Sequence, residues 1–270
     1  MPAEGKLEGA EALALSGVRK SFRGVEILRD LSLSVREGEV YTLLGSSGSG
    51  KSVTLKVAIG LIRPDAGEVR VFGRPVSRLS EHDLVEVRKL FGMVFQGAAL
   101  FDSMTVFENV AYPLREHLDL PETELRDRVE ACLAAVGLPG AGALMPAELS
   151  GGMRKRIGVA RAIALEPRIV LYDEPTTGLD PGNSLRIGRL ILELRDRLGV
   201  ASAVVTHDLA LCEQVSDRVG LLHRGRLAVE GDRGLLRHSE HPAVRAFLTG
   251  EEGGRDGGGV PGRAVAREAE

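Results

Sequence analysis

Cysteine is nearly absent. The 270-residue chain has two, Cys132 and Cys212, with no CxxC or Cys/His spacing that could assemble a zinc site or a redox pair. Both are expected to behave as small buried apolar side chains in a reduced compartment. An excess of either charge is also missing. The 35 basic and 38 acidic side chains give a formal net charge of −3, which leaves no electrostatic footprint for nucleic acid. No stretch approaches the roughly 18 consecutive apolar residues that span a bilayer. Met1 to Ala12 carries Glu4, Glu8 and Glu11 instead of a basic start and an apolar run, so no signal peptide is expected. No repeat of roughly 20–50 residues occurs, which excludes solenoids and propellers.

The chain does have core material. With 43% apolar residues it is not a disordered chain, and its length suits one large domain or two modest ones. Short β-branched runs alternate with longer helical patterns, which predicts an α/β fold with a mainly parallel sheet. Leu31, Leu33 and Val35 alternate with Ser32, Ser34 and Arg36, the pattern of a half-exposed antiparallel strand. Buried strands are expected at Val40 to Leu44, Ile169 to Tyr172 and Ala201 to Thr206, with a further strand at Glu68 to Phe72 after the turn residues Pro64, Asp65 and Gly67. Lys51 to Ile62 reads as an amphipathic helix. Between Met104 and Arg161 strand-like runs give way to helical spacing, as in Glu122 to Val136, which predicts a helical subdomain inserted into the α/β body. From Gly250 the composition is Gly-rich and charged, and residues 249–270 are expected to be a disordered tail.

Two segments carry chemistry. Gly45-Ser46-Ser47-Gly48-Ser49-Gly50-Lys51-Ser52 matches G-x-x-x-x-G-K-[ST] between an expected strand and an expected helix. In such a loop backbone N–H groups and the positive helix end cradle nucleotide phosphates, and the glycines allow the close approach. Lys51 is placed to reach the β- and γ-phosphates, and the Ser52 hydroxyl to bind Mg²⁺. The second segment, Ile169-Val170-Leu171-Tyr172-Asp173-Glu174, is an apolar strand ending in two acids at the sheet edge where ligands of open α/β sheets bind. Asp173 then suits Mg²⁺, and Glu174 suits a base toward attacking water. A flexible Gly/Ser linker and an ordinary strand end are the bland readings of the two segments, and their pairing argues against both.

Leu149-Ser150-Gly151-Gly152-Met153, shortly before the acidic strand, resembles the signature motif of ABC-type ATPases. The resemblance extends over about 13–248 and implies a P-loop fold with an antiparallel β subdomain and an inserted helical subdomain at about 104–161. It further implies that Phe22 stacks on adenine and that Gln96 is the Q-loop residue, a catalytic and Mg²⁺ contact. Asp180 becomes the D-loop acid and His207 the switch histidine. In that family Ser150, Gly151 and Gly152 face the γ-phosphate held by the other subunit, so two ATP molecules lie between two head-to-tail copies, and the helical subdomain couples this dimer to membrane partners. The other histidines, His82, His117, His223, His238 and His241, match no motif and are expected at the surface.

Met153 stands where the signature more often has Gln. With the stretches Gly92 to Val106 and Tyr172 to Asp180, it resembles the lipid-trafficking ABC ATPases, the MlaF type and the relatives that serve MCE-protein transporters. That likeness implies phospholipid or other lipid cargo and an integral-membrane permease of the MlaE type. MCE and small STAS-type subunits, and a peripheral place on the cytoplasmic side of the inner membrane, are implied with it. The alternatives are the ATPase of an importer or exporter for a small solute or lipoprotein, and a soluble ABC protein acting on nucleic acid or ribosomes. The soluble proteins typically fuse two ATPase domains or carry coiled-coil or zinc insertions, and neither feature is in the sequence. A small-molecule kinase on the same phosphate loop leaves Leu149 to Met153 and His207 without a role.

Overall fold

Two strand patterns, alternating and continuously apolar, build two different sheets. The computed structural model describes residues 9–250; the tail expectation beyond Gly250 falls outside them. The first elements are β1 (Glu11–Phe22), β2 (Val25–Arg36), β3 (Val40–Leu44), α1 (Lys51–Ala58), β4 (Ala66–Val71), β5 (Arg74–Pro75), α2 (Glu81–Arg88) and β6 (Phe91–Val94). A helical stretch follows with α3 (Val106–His117), α4 (Glu122–Ala135) and α5 (Gly151–Ile163). The chain continues with β7 (Ile169–Asp173), α6 (Pro181–Leu198), β8 (Ala201–Thr206) and α7 (Leu209–Val215). It closes with β9 (Arg218–His223), β10 (Arg226–Asp232), α8 (Leu235–His238) and α9 (Pro242–Thr249).

The antiparallel sheet has the order β2-β1-β4-β5. Arg23 and Gly24 both take positive φ between β1 and β2, the requirement of a tight hairpin turn that follows the twist of its strands. Leu31, Leu33 and Val35 of β2 face inward and Ser32 outward, as their alternation predicts. The strand expected at Glu68 to Phe72 begins two residues earlier and ends at Val71, because Phe72 adopts φ 46°.

The other sheet has the order β10-β9-β3-β8-β7-β6, parallel from β9 to β6 with β10 antiparallel at the edge. Every residue of β3, β7 and β8 is buried, since helices or the antiparallel sheet cover both faces and leave no polar side to alternate with. The register pairs Leu44 with Thr206, Asp173 with Val205 and Val94 with Tyr172. The C-terminal ends of β3, β6, β7 and β8 therefore meet on one edge, and the next residues of the chain emerge there together.

Helix α1 stops at Ala58, four residues short of the expected end. Gly60 takes φ 74°, and the Leu61 N–H returns to the Lys56 carbonyl, a left-handed C-terminal stop that glycine allows without steric cost. The interval 104–161 contains α3, α4 and most of α5, with two single-turn 3₁₀ segments and no strand. Thr105 and Glu108 form a reciprocal capping box at the start of α3. Val110 and Leu114 of α3, Val129 and Leu133 of α4 and Ile157 of α5 are fully buried in one shared core. Helix α5 also lies directly on β6: a Cβ placed on Gly92 would come within 2.4 Å of the Ala162 carbonyl oxygen.

Candidate functional site

The turn after β3 is shaped by glycine. Gly48 and Gly50 have φ of 81° and 110°, and a Cβ on Gly45 would stand 2.5 Å from Ser49 Oγ. Gly50 then caps α1, so the first N–H groups of that helix open into the loop with no side chain covering them. Lys51 is the first residue of α1 and only 6% exposed. Its Nζ donates to the carbonyls of Gly45 (2.7 Å) and Ser46 (3.0 Å) and lies 3.2 Å from Glu174 Oε1.

One helical position further, Ser52 Oγ donates to Asp173 Oδ1 at 2.8 Å. This contact joins the phosphate-type loop to the end of β7. Burial pushes the Asp173 carboxyl above its ordinary value, and the Glu174 charge adds to that against the Ser52 hydrogen bond. A divalent cation relieves such a strained anion. No cluster of three or more His, Cys, Asp or Glu suited to a metal occurs among the described residues. Mg²⁺ at a nucleotide needs only one or two protein oxygens plus phosphates, and the adjacent hard oxygens of Ser52 and Asp173 fit that demand.

Glu174 sits at φ 48°, a left-handed conformation rare for a residue with a side chain. Its Oε2 receives the Thr206 hydroxyl (3.2 Å), the His207 N–H (3.3 Å) and the Thr177 hydroxyl (3.4 Å), with His207 Nδ1 at 2.9 Å. Burial pushes this carboxyl up, but the His207 hydrogen bond and the Lys51 charge outweigh it, so Glu174 stays below its ordinary range and ionised. An ionised carboxylate beside a strand end is suited to taking a proton from water.

Lys51, Ser52, Glu174 and His207 line one cavity of about 600 Å³ together with Phe22, Ile27, Ser46 and Gln96, while Asp173 does not line it and joins it through Ser52. Phe22 is 42% exposed at its rim. A larger cavity, about 770 Å³, lies near α7 and α8, where Glu213 pairs with Arg237; it contains none of the motif residues.

Ser150, Gly151, Gly152 and Asp180 are not brought to this cavity. Ser150 is exposed and caps α5, its Oγ accepting the Met153 N–H at 3.3 Å. Asp180 caps α6 by accepting from Asn183 N at 3.0 Å. The two helix starts touch each other, since a Cβ on Gly152 would fall 2.8 Å from Asn183 Oδ1. Met153 turns its side chain toward the core shared by the helices.

Sequence reasoning overlooked Thr206, Thr177 and Lys155. Thr206 is the polar last residue of an otherwise apolar strand. Lys155 is 6% exposed, and its Nζ donates to the backbone carbonyls of Gln96 and, at 3.2 Å, of Glu174. Burial pulls its ammonium below the ordinary value, against the nearby charges of Glu174 and Asp173. The available signal was helical spacing, because Gly152, Lys155 and Val159 share one buried face.

Comparison with known proteins agrees with this geometry. The sequence pattern of the ABC transporter family matches residues 28–177. The chain is 43% identical over 247 residues to the "probable ribonucleotide transport ATP-binding protein mkl" of Mycobacterium leprae, covering 92% of this chain and 71% of that one. It is 43% identical over 224 residues to the "intermembrane phospholipid transport system ATP-binding protein MlaF" of Escherichia coli K12, covering 83% of each. Among solved structures, the post-hydrolysis dimer of the ATP-binding cassette MJ0796 with ADP and Pi superposes with a TM-score of 0.77 at 31% identity, over 82% of this chain and 98% of that one.

Proposed function

The chain belongs to the ABC transporter family of ATP-binding proteins, and from that premise we propose that two copies close head to tail around two ATP molecules to drive a membrane permease for phospholipid or related lipid. The observation that carries the reading is the division of the motif residues. Lys51, Ser52, Gln96, Glu174 and His207 line one cavity, whereas exposed Ser150, half-buried Gly151 and buried Gly152 lie elsewhere, at the start of α5. A signature that cannot serve its own cavity is positioned to serve another copy's. The MJ0796 structure, described as dimeric and holding ADP and Pi, supports the same arrangement.

Hydrolysis assigns each side chain a task. Lys51 exchanges its carbonyl partners for β- and γ-phosphate oxygens and neutralises their charge. Ser52 and Asp173, together with Gln96, would hold Mg²⁺, which when bound would screen charge on the phosphates. Glu174 accepts the proton of the water that attacks the γ-phosphorus as the bond to ADP breaks. Thr206 and the His207 N–H fix the carboxylate's direction, and His207 lines the same cavity. Phe22 offers its exposed ring to adenine. Ser150, with the N–H groups at Gly151 and Gly152, completes the partner's γ-phosphate site, and Asp180 lies at the same face.

The permease is assigned to a groove of about 490 Å³ between β6 and the helical layer, lined by Arg88, Phe91, Met93, Phe101, Tyr112 and Arg161. Phe101 and Tyr112 are exposed with ring centroids 5.1 Å apart, and the segment that begins at Gln96 connects this groove to the nucleotide cavity. No helix among the described residues is long and apolar enough to cross a membrane, which fits a peripheral subunit on the cytoplasmic face of the inner membrane.

Lipid cargo is favoured by the likeness to MlaF and by Met153 in the signature; the mkl relative is named for ribonucleotides. An MlaE-type permease with MCE and STAS-type subunits is the expected complex. Purifying the native complex from membranes, identifying its members and extracting its bound molecules separates the two cargoes. A periplasmic solute-binding protein in place of an MCE subunit would overturn the lipid assignment.

Glu174→Gln tests the chemistry. It is expected to bind ATP, lose nearly all turnover and accumulate as an ATP-bound dimer, because the amide cannot take the proton while Asp173 and Ser52 are intact. Lys51→Ala is expected to lose ATP affinity itself. Phosphate release and light scattering read both outcomes, and wild-type turnover in Glu174→Gln removes that residue from the base role.

A further inference from the structure

Two lysines are buried among the described residues, Lys51 and Lys155, and the chemistry above uses only the first. The Lys155 ammonium joins two backbone carbonyls, those of Gln96 and Glu174. Gln96 lies two residues past the end of β6 and Glu174 one past the end of β7, and these strands are parallel neighbours. The lysine itself belongs to α5, five residues from Ser150 and so about 7.5 Å along the helix axis from it. One cation therefore touches the turn that carries the base, the segment leading to the aromatic groove, and the helix that presents the signature.

The Glu174 peptide requires such a restraint. Its left-handed φ of 48° is a conformation that persists only where the surroundings over-determine it. The Glu174 N–H is held by the Val205 carbonyl at 2.9 Å, and its carbonyl oxygen accepts from Lys155 at 3.2 Å and from the Thr177 N–H at 3.3 Å. Held at both ends, the residue has a fixed backbone from which its carboxylate projects. An apolar side chain at position 155 would leave the buried Glu174 carbonyl and the part-buried Gln96 carbonyl without this donor.

We propose that Lys155 is a positioning residue for hydrolysis: it locks the Glu174 backbone and ties it to the Gln96 turn, so that the aim of the base follows the position of helix α5. The role rests on Glu174 as the base, and it makes the arrangement of the helical layer a condition for turnover rather than for ATP binding.

A double-mutant cycle on the full-length chain tests this. Steady-state ATPase gives kcat and KM for the wild type and Lys155→Met, and single-turnover hydrolysis compares Lys155→Met with and without Glu174→Gln. Lys155→Met is expected to lower kcat about tenfold or more while KM for ATP stays within about twofold. With Glu174→Gln present, the same change is expected to cost less than about twofold, since the carboxylate it would misalign is already gone. Lys155→Gln, which retains an amide donor, should recover part of kcat, and it carries the same cycle if the methionine variant does not fold. Equal fold losses in both backgrounds, or an unchanged kcat in Lys155→Met, overturn the proposal. Wild-type turnover in Glu174→Gln alone would instead overturn the base assignment on which it rests.

Discussion

Met153 shows how a single departure from a motif is read through its contacts. Its N–H completes the Ser150 cap and its side chain packs on the helical core, so the residue supports the signature without facing phosphate. Met153→Gln is expected to change hydrolysis by less than about tenfold, or about 1.4 kcal/mol in the barrier. Abolished turnover in a folded variant would give the methionine a specific role. The two cysteines offer a second check at this scale. Cys212 is buried as expected while Cys132 is only half-buried against the helical core, and partial or full burial pushes both thiols up to about 11. The thiolate is the nucleophile, so at pH 8 only about 0.1% of each thiol is reactive in the native protein. Alkylation is expected to be slow at pH 8, to accelerate as pH rises toward 11, and to become fast at pH 8 in denaturant. Rapid labelling of native protein at pH 8 would contradict that burial.

The signature helix α5 and strand β6 form a close contact at the scale of elements. Gly92 lets the Ala162 carbonyl approach the strand, and two residues after β6 comes Gln96. Gly92→Ala must push α5 away from the sheet, which is expected to cost about 1–3 kcal/mol of stability as an overpacked contact. The displacement also moves Lys155 and Ser150, so turnover should fall by more than the lost fraction of folded protein explains. Thermal unfolding and ATPase rates measured on one preparation separate the two effects. A variant with wild-type melting temperature and activity would show that the contact relaxes freely. Elsewhere element boundaries followed local chemistry. The buried runs Val40–Leu44 and Ala201–Thr206 are strands at the residues expected, while Gly60 ended α1 early because its left-handed turn outweighed the apolar residues beyond it.

For the whole molecule, the proposed head-to-tail pair makes a prediction that no single copy can meet. In that arrangement Ser150→Arg would fill the γ-phosphate space offered to a partner, and Lys51→Ala would disable the copy's own loop. Each variant alone should be nearly inactive. Mixed in equal amounts, half of the pairs combine one copy of each, and one of their two sites is intact, so activity is expected to rise toward about a quarter of wild type. ATPase assays on the separate and mixed proteins decide it. Activity of the mixture no greater than the average of the two would exclude sites shared between copies.

The phosphate-type loop and the acidic strand end were legible in the sequence by itself, because each is a short run whose chemistry depends on neighbours in the chain, and the signature was legible through its family resemblance. The sequence likewise determined the α/β class, since burial on both faces turns parallel strands into continuous apolar runs that remain visible in one dimension. Tertiary structure alone decided which of these residues share a cavity. Ser52 meets Asp173 and Glu174 meets Thr206 and His207 only because the sheet order places β3, β8, β7 and β6 side by side with their ends in register. The role of Lys155 was decided there too. A lysine on a helix face is normally solvated, and only the packing of α5 across the ends of β6 and β7 buries its charge against two carbonyls, a pairing across 59 and 19 residues that no local spacing encodes.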